Sequence, residues 1–74
     1  MFLIKIVLKG GEEKLREKLE RIREKDESFV FKIEKGVLEI ENKTKEQAYK
    51  RGVWLVKNIE ELKKCGFEVE EVRE

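Results

Sequence analysis

The stretch FVFKIEKGVLEIE, residues 29–41, decides how this chain folds. Phe29, Phe31 and Ile33 alternate with Val30, Lys32 and Glu34, and Leu38 and Ile40 alternate with Val37, Glu39 and Glu41. A period of two marks half-buried strands. Lys35-Gly36 between them has the length and the glycine of a tight hairpin loop. A two-residue loop sets Ile33 opposite Leu38, Phe31 opposite Ile40 and Lys32 opposite Glu39. A slip of one residue would turn every apolar side chain to the wrong face, so this register is strongly specified.

Downstream lies TKEQAYKRGVWLVKNIEELKKCG, residues 44–66, the longest helical pattern in the chain. Ala48, Gly52, Leu55, Ile59 and Leu62 are spaced four, three, four and three residues apart, which keeps one face apolar. Thr44 with Gln47 has the form of a capping box. Gly66 is expected to end the helix in the left-handed conformation, with Phe67 reaching back to Leu62. Phe67 and Val69 then begin a last strand.

Upstream, Phe2, Ile4, Ile6 and Leu8 alternate with Leu3, Lys5, Val7 and Lys9, another half-buried strand, and Gly10-Gly11 interrupts it. Leu15, Leu19 and Ile22 form a narrow helical stripe from Glu12 to about Lys25. Glu12 with Arg16 and Glu17 with Arg21 are spaced to pair along that helix. It ends at Asp26-Glu27-Ser28 without a glycine cap, so its last turn is its weakest boundary.

The resulting order, βαββαβ, resembles the ferredoxin-like split βαβ fold over the whole chain, through the order of elements rather than through a family motif. The resemblance and right-handed crossovers imply a single α+β domain, residues 1–74, with an antiparallel sheet ordered 4-1-3-2 and both helices on one face. The expected core is Phe2, Ile4, Ile6, Leu8, Leu15, Leu19, Ile22, Phe29, Phe31, Ile33, Leu38, Ile40, Ala48, Leu55, Val56, Ile59, Leu62, Phe67 and Val69. On the opposite face, Val7 opposite Val37 and Leu3 opposite Val72 would produce a row of alternating sign, Lys32, Glu39, Lys5 and Glu70. Such a row favours strand pairing and leaves only small apolar groups on either side of it.

At 74 residues the chain has little surface to bury, and no staple is evident. Cys65 is the only cysteine and there is no histidine, so an internal disulfide and the usual zinc sets are excluded. Charged residues make up 47% of the chain, but 18 Lys+Arg stand against 17 Asp+Glu, which argues against a basic nucleic-acid footprint. The apolar opening MFLIKIVL is short and carries a lysine, so neither a signal peptide nor a membrane span is expected. A soluble protein, cytoplasmic if made in a cell, is the expectation.

Functions hosted by similar folds place particular residues at particular positions. Heavy-metal-binding domains carry C-x-x-C after the first strand, where this chain has Lys9-Gly10-Gly11-Glu12. RNA-recognition motifs would need stacking aromatics at Val37 and Glu39. Acylphosphatases need an anion-binding arginine in the first loop, and Glu12 and Glu13 would repel a phosphate there. ACT-type regulatory domains bind amino acids near a comparable glycine-bearing loop, and Gly10-Gly11 fits a flexible connector better.

Glu71 shares the inward parity of Val69, as expected of an edge guarded against pairing or of a strand bulged near Glu70. On a helical wheel of about 100° per residue, Trp54 lies about 240° from Ala48 and so away from the core, as Val53 does. Gly52 is expected to permit a close approach, and Cys65 to be a small filler. No catalytic, cofactor-binding or metal residue is expected, and no cofactor, nucleic-acid, membrane or protein partner.

Surface vocabulary dominated by Lys, Glu and Arg is shared by hyperthermophile proteins and by computed sequences. The expected reading is a monomeric, thermostable designed domain whose role is to fold. The alternative is a small binding or regulatory module from a thermophile, ACT-like or similar, acting through its sheet face as a dimer.

Overall fold

The computed structural model describes residues 1–73. Its elements are β1 (Phe2–Val7), α1 (Glu12–Lys25), β2 (Phe31–Glu34), β3 (Val37–Asn42), α2 (Lys45–Asn58), a 3₁₀ turn (Glu60–Leu62) and β4 (Glu68–Glu71). The strands form one antiparallel sheet, β2-β3-β1-β4, which read from the β4 edge runs 4-1-3-2.

The hairpin has the register its pattern implies, with Phe31 opposite Ile40, Lys32 opposite Glu39 and Ile33 opposite Leu38. Lys35 and Gly36 have φ of 51° and 75°. Two successive left-handed residues make the primed turn whose twist suits a hairpin. The alternation places Phe29 at the start of β2, yet the strand begins at Phe31. Phe29 is nevertheless 2% exposed and belongs to the core. β1 pairs with β3 through Val7 opposite Val37 and Lys5 opposite Glu39, as expected.

One face of the sheet is closed by the helices. Ile4, Ile6, Leu38 and Ile40 are fully buried there, together with Leu15 and Leu19 of α1 and Ala48 and Leu55 of α2. Phe2, Leu8, Ile22, Phe31, Ile33, Val56, Phe67 and Val69 pack around them, half-buried. Cys65 joins this core at 7% exposure as a small filler. Asn42 is buried as well, although the apolar pattern does not include it.

The region after α2 departs from expectation. The helix stops at Asn58, and Ile59 is extended at φ −103° and ψ 118°. A helix through residue 65 would run about 30 Å at about 1.5 Å per residue. The whole molecule is only 31 Å in its longest dimension, and the chain must still return to begin β4. Asn58 Nδ2 donates to Trp54 O at 2.8 Å, the local competition that makes Asn a poor helix interior residue. Breaking at Ile59 keeps both Ile59 and Leu62 buried while turning the chain back. Gly66 is therefore not a left-handed cap: positive φ occurs at Gly10, Gly11, Gly36 and Lys35 and not at Gly66.

The register of β4 also differs. Leu3 lies opposite Glu70 and Lys5 opposite Glu68, two residues from the expected Leu3–Val72 and Lys5–Glu70 pairings. A two-residue shift keeps every side chain on its own face, so alternation of pattern cannot detect it. The ladder continues in register beyond the strand, with Val72 N–H donating to Met1 O at 2.8 Å. Glu71 keeps the helix-side parity without a bulge and is exposed.

Candidate functional site

A cluster of hydrogen-bonded polar side chains lies where α1 ends, β3 ends and α2 begins. Asp26 follows α1 as its cap, and its Oδ1 accepts from Ser28 N–H at 3.0 Å and Ser28 Oγ–H at 2.6 Å. Those two hydrogen bonds, the Ser28 hydroxyl first, hold the Asp26 carboxyl below its ordinary range, with Arg51 adding a smaller pull. At the end of β3, Asn42 Nδ2 donates to Ile40 O at 3.1 Å and Phe2 O at 3.4 Å. Its Oδ1 accepts from Arg51 Nη1 at 3.2 Å.

Arg51 connects these groups. About two turns into α2 from the Thr44 cap, its guanidinium also reaches Glu41 O at 3.5 Å and Asp26 Oδ2 at 3.7 Å. The same guanidinium lies 5.3 Å from the centre of the Phe29 ring, a cation–π arrangement. Only 17% of its side chain is exposed. An open groove of about 580 Å³ runs beside it, lined by Ile22, Asp26, Phe29, Lys50, Arg51 and Trp54 among others. Trp54, 51% exposed, lies on the α1 side of α2 and forms one wall of this groove. Chemically, the arrangement ties three elements together. The arginine is occupied by two carbonyl-type acceptors, a carboxylate and an aromatic face, which leaves it poorly disposed to receive an anion.

The helix start is likewise organised for structure. Thr44 Oγ1 accepts from Gln47 N–H at 3.0 Å, half of a capping box. Gln47 Oε1 accepts from Lys43 N–H at 3.1 Å instead of from Thr44 N–H, one residue earlier than the usual form.

The first loop shows why two glycines stand together. Gly10 and Gly11 have φ of 127° and 67°, and Gly11 is the N-cap of α1. A Cβ on Gly11 would sit 3.0 Å from Glu61 Cγ. Glu61 pairs with Lys18 Nζ at 2.6 Å, which first of all lowers its carboxyl from the ordinary value. Glu12 and Glu13 occupy the positive end of α1, and Glu12 pairs with Arg16 at 3.4 Å. No ion pair joins Glu17 and Arg21 among the described residues; Arg23 instead lies 3.8 Å from Glu20.

On the helix-free face the expected row of charges forms by a different route. Lys32 lies 3.5 Å from Glu39, Glu39 3.8 Å from Lys5, and Lys5 2.6 Å from Glu70. Glu70 reaches Lys5 diagonally, because the backbone partner of Lys5 is Glu68. The Glu70 hydrogen bond and charge raise the Lys5 ammonium above its ordinary value. Val37 and Glu39, where stacking aromatics would stand in an RNA-recognition motif, lie within this face.

Gly52 permits a close approach from the chain leading into β4. A Cβ there would lie 2.5 Å from Phe67 Cε2, so the Phe67 ring rests on α2 where a side chain is missing. Cys65 is buried, and its thiol lies 3.8 Å from Glu61 O. Asn42 is missed by a reading of apolar residues, although its parity with Leu38 and Ile40 is visible in the sequence. Arg51 carries no comparable signal, because its partners come from two other segments, residues 26–29 and 41–42.

No protein-family model matches the chain, and neither a curated protein nor a solved structure matches it. Among the described residues, no helix is long and apolar enough to cross a membrane, and no group of three metal-ligating side chains is assembled.

Proposed function

We propose that this chain is a de novo designed, ferredoxin-like scaffold whose role is to fold, with no catalytic chemistry of its own. The observation that carries this reading is internal satisfaction. Among the described residues every buried side-chain nitrogen and oxygen has a hydrogen-bond partner. Sites of chemistry usually break that rule, holding a polar group poised for a substrate and offsetting its cost elsewhere. Here Arg51 is enclosed by Asp26, Asn42 and Phe29, and the row from Lys32 to Glu70 binds itself across the helix-free face. That row supports a wet face that takes neither RNA nor a protein.

Calorimetry with sizing chromatography and light scattering tests the proposal. A scaffold of this kind is a monomer that unfolds reversibly above roughly 90 °C. A dimer that buries Leu3 and Val37 together, with a midpoint near about 55 °C, the ordinary mesophile range, would replace it with the regulatory-module reading.

A further inference from the structure

Two sheet edges are open, and they differ. Val72 N–H donates to Met1 O, so Met1 and Val72 form a hydrogen-bonded pair. Antiparallel ladders alternate such pairs, which places Leu3–Glu70 and Lys5–Glu68 in the same class. The N–H and C=O groups of Val69 and Glu71 therefore point away from β1, into solvent. On the helix-free side this edge carries Glu68 and Glu70, both exposed, with Glu70 already held by Lys5 at 2.6 Å. Glu68 makes no ion pair among the described residues. On the helix side Val69 is half-buried, and the edge is bordered by an apolar flank of α2. Tyr49 packs edge-on against Phe67 at 6.2 Å, and Tyr49 and Val53 are 47% and 40% exposed. At about 100° per residue, Tyr49, Val53 and Val56 occupy one side of α2, the side on which Phe67 rests against Gly52.

We propose that the β4 edge is a strand-addition site for an extended segment that alternates basic and apolar residues. The occupant would hydrogen-bond to the free groups of Val69 and Glu71. Its basic side chains would face Glu68 and Glu70; on the helix side one apolar residue would face Val69 and the Tyr49–Val53 flank, and the next would stand beside the exposed Glu71 carboxylate. This goes beyond a scaffold role and departs from the expectation of no partner.

Charge chooses the occupant. A second copy of β4 centred on Val69 would set Glu68 opposite Glu70 twice. Centred on Glu70, it would set Glu70 against itself. Both registers oppose like charges, so the acidic edge bars its own copy. A basic strand meets the same residues favourably. The β2 edge has no such preference, because Lys32 and Glu34 expose both signs side by side.

The experiment uses the ¹⁵N-labelled protein and the probe peptide acetyl-Lys-Val-Lys-Val-Lys-amide at low salt. The amides of Val69 and Glu71 should shift and their hydrogen exchange should slow, with further shifts at Tyr49 and Val53. Binding should weaken as salt screens the edge. Glu68→Lys, at an exposed position, should weaken the peptide by about ten-fold. Three results would overturn the proposal: equal binding of acetyl-Glu-Val-Glu-Val-Glu-amide, protection at Phe31 and Ile33 instead, or no shift with about 1 mM peptide.

Discussion

Gly52→Ala sets two known effects against each other, and the structure decides between them. Alanine is favoured over glycine in a helix interior by about 1 kcal/mol, so propensity alone predicts a more stable protein. Against this, the new methyl group would meet Phe67 Cε2 at 2.5 Å, Cδ2 at 2.7 Å and Cζ at 2.9 Å. Three ring atoms inside contact distance cannot be relieved by turning one flexible tip. The ring as a whole must move by about 1 Å to restore ordinary carbon–carbon separation. Tyr49 stands against the same ring, and β4 begins at the next residue, so both ring and backbone are restrained. Overpacking of this kind costs about 1–3 kcal/mol, and a half-buried ring places it near the middle, about 2 kcal/mol. The net expectation is a loss of about 1 kcal/mol.

In guanidinium chloride, with a slope of about 2–3 kcal/mol/M for a small domain, the midpoint should fall by about 0.3–0.5 M. The decisive comparison repeats the substitution in a Phe67→Ala background. There the obstacle is gone, and Gly52→Ala should stabilise by about 1 kcal/mol, giving a coupling of about 2 kcal/mol between the two positions. If Gly52→Ala stabilises both backgrounds equally, the Phe67 ring does not rest on Gly52 and the account of this glycine fails.

Gly66→Ala should stabilise by about 0.4–1 kcal/mol, since that residue lacks positive φ and a methyl group added there would meet nothing within 4 Å; a loss near about 1 kcal/mol in the same denaturation assay would restore the left-handed cap. Asn42→Ala removes the acceptor from half-buried Arg51 and should cost about 1–3 kcal/mol, whereas an unchanged midpoint would mean that water replaces the amide. Asp26 has a folded-state pKa below its ordinary 3.8. Its stabilising contribution is therefore complete above that value and is lost as pH falls through the lower folded value. Unfolding measured from neutral to strongly acidic pH should show a shallower acid loss in Asp26→Asn than in the parent, and parallel curves would refute the linkage.

The strands, the hairpin and most of the core are legible in the sequence because they rest on short-range periodicity. Lys35-Gly36 admits only a tight turn, and once that turn is set, the faces of Phe31, Ile33, Leu38 and Ile40 follow. Leu15 and Leu19, or Ala48 and Leu55, declare a buried helical face in the same way. Three features needed the tertiary structure. The break at Ile59 turns the chain back towards β4 while keeping Ile59 and Leu62 buried, a requirement that a local apolar period cannot express. The β4 register depends on where the chain re-enters the sheet, and a shift by two residues leaves every face unchanged. The Asp26–Asn42–Arg51 cluster joins α1, β3 and α2 through side chains far apart in sequence. Local pattern determines which face a residue takes, and the packing of whole elements determines which residue it meets there.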